Sequence, residues 1–346
     1  MYVRVGRDSD AQFKLKDCFS ASLFLSRAMF LQCTGGVLRK AKGSRLFSSF
    51  VPRGLSAIAS PNMTGSVKDR AGDYTTLEVS LDEGTGVAHV LMNRPEKMNA
   101  MNMPLWEELA DCFSEINRDS TVRCVVLGST SGNFSSGMDM SVFGELMKLH
   151  KQEACEARAR EKLDRVIEFF QDSVSGPEKC RVPVLCAIDG MAIGGAVDLL
   201  TSCCMRYCTE QSKFSVKEVD LAIVADVGTL QRLPSIVGDQ RSRELAYTGR
   251  LFDGKEALEM GLVLEAFPSS EEMMDSVNKL AVTIAQKSPL TVRNVKRTLL
   301  YNREHDTEDS LEQVRTMNCS VLHSQDLEIA MGAAMGKTIP VFERGD

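Results

Sequence analysis

"VPVLCAIDGMAIGGAVDLLTSCC", Val182 to Cys204, is the stretch on which the fold turns. Its first half is an apolar run without polar alternation, the pattern of a strand buried on both faces of a mainly parallel sheet. Gly190, Gly194 and Gly195 then end the strand and open a helical segment running to the Cys203–Cys204 pair. Glycine at such a turn lets backbone or ligand approach closely.

The segments on either side repeat this scheme. "TTLEVSLDEGTGVAHVLMNRP" alternates apolar and polar residues on both sides of Gly84 and Gly86, which predicts a hairpin that Pro95 stops. "MPLWEELADCFSEINRD" places Leu105, Leu109, Phe113 and Ile116 at helical spacing, and "VRCVVLGST" is another buried strand. A helical region from Met147 to Gln171 leads into the opening stretch, and "MRYCTE" and "KFSVKEV" follow as short strands. Repeated strand, strand, helix units predict a wound α/β fold with binding loops at strand ends. Past Glu265 come four helical segments separated by Ser-Pro or polar breaks, with an apolar stripe and little sheet beneath it. The chain therefore divides into residues 1–70 outside the fold, a core over 71–265, and a helical oligomerisation region over 266–346.

Composition removes several function classes. The chain has 346 residues, 43% hydrophobic and 25% charged, with a net charge of -6. That suits a globular protein with a sizeable core and argues against a nucleic-acid partner bound by phosphate neutralisation. The acidic balance hides a basic arm: from Cys18 to Ser66 there is no Asp or Glu, while Arg27, Arg39, Lys40, Lys42, Arg45 and Arg53 are all cationic. A basic, Ser-rich, acid-free segment predicts a mitochondrial transit peptide and a matrix location. The C-terminal "FERGD" lacks the Ser-Lys-Leu type of address that the peroxisomal alternative often uses. Eleven scattered cysteines read as small buried hydrophobes in a reducing compartment, and the absence of CxxC pairs and HExxH disfavours a metal site. Four histidines, none beside an evident nucleophile, disfavour a Ser-His-Asp or Cys-His mechanism, and no apolar run reaches membrane-spanning length.

The chemistry concentrates in glycine loops and acids. "NFSSGMDMSVF" and "GMAIGGAVDLL" place Gly137, Gly194 and Gly195 just before helices, where free amides at the positive end of the helix dipole are suited to an oxyanion. A tight turn explains the same glycines. "VKEVDLAIVADVGTLQRLP", Val216 to Pro234, sets Glu218, Asp220 and Asp226 among apolar residues, where an ionised carboxylate resists burial. Structural readings stand beside catalytic ones here too: Asp226 as the N-cap of a helix running through Gln231, Asp198 as a first-turn acid, Glu218 as a paired charge at a strand end.

"NRPEKMNAMN", "FSSGMDM", "DGMAIGGAVDLLTSCCMRYCTEQSKFSVKEVDL", "GTLQRLPSIVG" and "GRLFDGKEALEMGLV" together resemble the enoyl-CoA hydratase/isomerase (crotonase) superfamily from about Thr76 to Phe342. The resemblance implies a crotonase-like ββα superhelix acting on an acyl-CoA thioester, with no separate cofactor and assembly as a trimer or hexamer. It places the oxyanion amides at Met138 and Gly195, and CoA binding at Met98, Ala100, Ser136, Gly137, Met138, Asp139, Met140 and Gly195. Asp139 is expected to fix its loop. The carboxylates match best the branch of the family that converts 3,5-dienoyl-CoA to 2,4-dienoyl-CoA in fatty-acid β-oxidation, which implies catalytic roles for Glu218, Asp226 and Asp198. Glu218 is then the base at C2 and Asp226 the acid at C6, its pKa raised by Ile223, Val224, Ala225 and Val227, while Asp198 tunes or orients the pair. The alternatives are an enoyl-CoA hydratase or simple enoyl-CoA isomerase, and a non-catalytic binding protein on the same scaffold. Asp220 is expected to be solvated or salt-bridged, and Lys296 to lie on a basic solvent face or to reach a CoA phosphate.

Overall fold

The computed structural model describes Val67 and residues 71–343. The transit peptide expected in residues 1–70 therefore lies outside the described residues, except that Val67 is buried and its amide donates to Asp119 at 2.9 Å.

A six-stranded sheet carries the fold. Strands β1 (Leu77–Asp82) and β2 (Val87–Met92) form the expected hairpin, antiparallel with Leu77 opposite Met92. Next come β3 (Cys124–Ser129), β4 (Val184–Ile188), β6 (Met205–Thr209) and β9 (Glu265–Phe267), in the spatial order β1-β2-β3-β4-β6-β9, with every pair after the first parallel. β4 is buried along its whole length, as its unbroken apolar run requires. A second, three-stranded sheet has the order β5 (Met191–Ile193), β7 (Lys213–Ser215), β8 (Phe252–Asp253).

Helices close both faces of the large sheet. α1 (Met103–Arg118) turns Leu105, Trp106, Leu109, Cys112, Phe113 and Ile116 into the main core. There Trp106 meets Phe170 of α3 (Glu156–Lys179) with ring centroids 4.7 Å apart. α2 (Met140–Gln152) precedes α3, so the single helical region expected from Met147 to Gln171 is two helices with a break at residues 153–155. α4 (Gly195–Thr201) and α7 (Gly254–Glu259) pack against the small sheet, while α5 (Thr229–Val237) packs against α4 and α6 (Asp239–Thr248). The C-terminal part contains the four expected helices, α8 (Ser270–Ala285), α9 (Pro289–Tyr301), α10 (Thr307–Val321) and α11 (Gln325–Gly336). Ser269, Ser288, Asp306 and Ser324 each accept a backbone N–H as N-caps, so the polar breaks read in the sequence are caps.

Two expectations change. The boundary at 265/266 falls inside β9, and α8 packs Met273, Val277, Ala281 and Ala285 over Val126, Leu185 and Tyr207 on the back of the sheet, so α8 belongs to the core. Lys296 is buried, with Nζ donating to the carbonyls of Pro177 at 2.7 Å and Val182 at 2.9 Å. Its place is set by α3, whose Pro177 interrupts helical bonding and whose last carbonyls need donors. Lys296→Met keeps the apolar stem but strands both carbonyls; urea unfolding should show a loss of about 2 kcal/mol relative to wild type.

Candidate active site

The site is built first from two loops pinned together. After Pro95 the chain makes a tight turn in which Met98 and Asn99 both adopt left-handed backbone, with φ of 48° and 53°. Buried Asn99 holds that turn: its Oδ1 accepts from Arg94 N–H at 2.6 Å, its Nδ2 donates to the Asn133 carbonyl at 2.7 Å, and its own carbonyl accepts from Ser135 Oγ at 2.8 Å. The Arg94 guanidinium donates to the Ala100 carbonyl and reaches Asp139 at 3.3 Å. Ser136 N–H donates to the Met98 carbonyl. Met98 and Ala100 thus stand beside Ser136, Gly137 and Asp139, as the CoA-binding reading needs. Asp139 caps α2 through Ser141, whose amide and hydroxyl hold its carboxyl below the usual range, so it fixes the loop. Met140, the first residue of α2, is largely exposed. Arg94 and Asn99 were not singled out in the sequence, because only the fold shows that the Arg94–Asn99 turn is fastened to the loop at 133–139.

The same loop presents the first amide. Met101 makes a parallel bridge to Met138: Met101 N–H donates to the Gly137 carbonyl and Asp139 N–H donates to the Met101 carbonyl. Both bonds use the residues flanking Met138, so Met138's own N–H points away from Met101. Gly137 lies flat against the next loop: with φ 92°, a Cβ there would sit 2.6 Å from the Ile193 carbonyl oxygen. No other residue permits that approach. Gly194, at φ 54°, turns the chain into α4, leaving Gly195 N–H as the first free donor of the helix. The loop carrying Met138 and the turn into α4 are thus packed one against the other.

Three acids gather behind them. Asp198, in the first turn of α4, is 1% exposed, and its Oδ1 accepts from Thr229 N–H at 2.6 Å. It therefore caps α5 from 31 residues away in sequence, while Gly228 occupies the N-cap position expected for Asp226. Burial raises the Asp198 carboxyl to about 6, against the lowering effect of the Thr229 bonds. Glu218 does not end a strand: β7 stops at Ser215, and Glu218 opens a 3-10 turn, Glu218–Leu221. A Cβ on Gly194 would sit 3.2 Å from Glu218 Oε1, which puts this carboxylate against the Gly194 turn. Its Oε2 is buried with no hydrogen-bond partner, and burial followed by the charge of Asp198 raises it to about 7.

Asp226 is more open than expected. Its carboxyl is raised by desolvation, but Ile223 and Val224 are 42% and 69% exposed; among the four named neighbours, Ala225 and Val227 are the buried ones. Its charge contributes to raising both Asp198 and Glu218, which places the three acids in one field. Asp220 pairs with Lys217 away from this group, as expected.

Known proteins resemble this chain over most of its length. The enoyl-CoA hydratase/isomerase family model matches residues 82–344. A peroxisomal Delta(3,5)-Delta(2,4)-dienoyl-CoA isomerase of Arabidopsis thaliana is 41% identical over 272 residues, covering 78% of this chain and 98% of that protein. The mitochondrial enzyme of the same name from Mus musculus is 39% identical, covering 88% of this chain and 93% of its own. The crystal structure of an enoyl-CoA hydratase from Bacillus anthracis superposes with a TM-score of 0.70 at 26% identity, over 79% of this chain and all of that one.

The raised acids make the site costly at neutral pH. Glu218 titrates near 4.5 when unfolded and at about 7 when folded, so the folded state binds more protons between those values and loses stability as pH rises through that window. Glu218→Gln should therefore match wild type in urea unfolding at pH 4 and exceed it by about 1–3 kcal/mol at pH 8. The same pH dependence in both proteins would contradict the placement.

Proposed function

The chain belongs to the enoyl-CoA hydratase/isomerase family, and we propose that it isomerises 3,5-dienoyl-CoA to 2,4-dienoyl-CoA by moving a proton from C2 to C6. The observation that carries this reading is the Glu218 carboxylate, pushed up to about 7 against the Gly194–Gly195 turn, with Asp226 in the same field. The thioester oxygen is held by the amides of Met138 and Gly195. Glu218 takes a proton from C2, and its raised pKa makes it an effective base near neutral pH. The electron pair spreads from C2 through C4 to C6 and onto the thioester oxygen, where the two amides stabilise it by several kcal/mol. Asp226 delivers a proton to C6, and the double bonds settle at C2 and C4. Each cycle leaves Glu218 protonated and Asp226 ionised, and the exposure of Asp226 lets solvent reset it.

The reading calls on no cofactor, because every step is a proton transfer and the developing charge is met by backbone amides. CoA would lie along Met98, Ala100 and Ser136 to Met140. A hydratase would require Asp198 to share a water with Glu218; here Asp198 is buried and bonded to Thr229, so it orients the other two. A mitochondrial matrix location is supported by the acid-free basic segment from Cys18 to Ser66 and by the mitochondrial relative, with the peroxisome favoured by the plant one. Assembly as a trimer or hexamer is supported by the exposed Leu299, Met331 and Met335 on α9 and α11.

The direct test supplies a 3,5-dienoyl-CoA and follows the conjugated 2,4-dienoyl absorbance. Glu218→Gln and Asp226→Asn should each lower kcat by about 10²-fold or more. Unchanged rates in both would sink the assignment. Gly137→Ala should displace the Met138 amide and cost about 10²-fold in kcat, the scale of losing one oxyanion donor.

A further inference from the structure

The "GTLQRLPSIVG" motif contains an arginine that the proposed chemistry does not use. Arg232 lies in α5, four residues beyond Gly228, and its side chain is mostly buried. α3 offers Gln171, Ser175 and Glu178 along one face at helical spacing, and all three engage the segment Asp226–Arg232. Gln171 Nε2 donates to the Asp226 carbonyl at 2.6 Å. Arg232 Nη2 donates to Ser175 Oγ and to Glu178 Oε2, both at 2.8 Å, and Arg232 Nε donates to Glu178 Oε2 at 3.0 Å. The acid-bearing loop is thus fastened to one helix at both its ends.

The third guanidinium nitrogen faces the loop itself. Arg232 Nη1 is buried and takes no acceptor, and a Cβ at position 228 would lie 1.9 Å from it. The guanidinium therefore fills the space that Gly228 leaves open, beneath the turn joining Asp226 to Thr229. Gly228 has φ 134°, so this turn has a conformation that a side chain would resist. A salt bridge that merely held α5 to α3 would not need to reach under residue 228. Glu178 is also bonded by Arg303, just past α9, which braces it from the opposite side.

We infer that Arg232, held in its fork by Glu178 and Ser175, is a positioning residue that sets Asp226 for proton delivery at C6. This rests on the isomerase reading and extends it to a residue that touches no substrate. A planar fork matters here, because Lys offers one charged nitrogen and cannot bond Ser175 and Glu178 while lying flat under Gly228.

The experiment separates the two halves of the reaction. The full-length protein is given a 3,5-dienoyl-CoA in D2O; 2,4-dienoyl absorbance reports proton delivery at C6, and deuterium at C2 of recovered substrate reports removal and return of the proton by Glu218. Arg232→Gln, Arg232→Lys and Glu178→Gln should lower kcat by about 10- to 100-fold, with KM and C2 exchange within about threefold of wild type. That is the pattern expected of Asp226→Asn, whereas Glu218→Gln should lose both signals. Glu178→Gln changes no volume and carries the test if an Arg232 variant fails to fold. Unchanged kcat in the folded variants, parallel loss of turnover and C2 exchange, or full recovery in Arg232→Lys would each overturn the inference. If the wild type makes no 2,4-dienoyl product, the isomerase reading itself falls, which is distinct from an active wild type matched by its variants.

Discussion

The contact between Gly137 and the Ile193 carbonyl governs the rest of the site. A Cβ at residue 137 would reach to 2.6 Å from that oxygen, so the two loops can lie together only because one of them has no side chain at the junction. This contact sets the loop that carries Met138 against the Ile193–Gly194 turn that opens α4. They come from opposite ends of a 57-residue excursion that includes α2, α3, β4 and β5. Arg94 and Asn99 hold the first loop from behind, and the parallel bridge from Met101 turns the Met138 N–H away from its neighbours. The proposed oxyanion pair would then stay in place while charge develops, which is the condition for strong electrostatic stabilisation.

Acids near such a donor pair oppose one another. Asp198 and Glu218 are both raised chiefly by burial, and each also feels a neighbouring carboxylate. Asp198 is tolerated because its carboxyl caps α5, so a group that raises Glu218 also organises the helix that follows Asp226. The stability lost above the unfolded pKa of these groups is the physical counterpart of a carboxyl that titrates near neutrality, as the proposed base requires.

Much of the fold is legible along the chain. β3 and β4 read as buried strands because a parallel sheet covered on both faces calls for unbroken apolar runs, and the last four helices read from their apolar stripe and the Ser-Pro or polar breaks between them. Gly137, Gly194 and Gly195 were legible as glycines before helices, which fit plain turns equally well, and the oxyanion role proposed for the neighbouring amides came from the family resemblance. What escaped were features with no local signature. Lys296 looks like a solvent-facing charge until the carbonyls of Pro177 and Val182 are found beside it. The cap of α5 looks like the work of Asp226, since a helix beginning at Val227 would put that acid at its N-cap, yet α5 begins at Thr229 and its first amide bonds Asp198.

By itself the sequence determined the buried strands β3 and β4, the first hairpin, the four C-terminal helices and where glycine permits tight turns, and its family resemblance pointed to carboxylates as the groups to examine. Those properties depend on residues near one another in the chain, through periodicity, capping and backbone freedom. Tertiary structure alone decided that Glu218 sits in a 3-10 turn against Gly194, that Asp198 reaches Thr229, and that α8 joins the core beneath the sheet. A charge's pKa and partners depend on what is packed around it, and here those groups come from segments tens of residues apart.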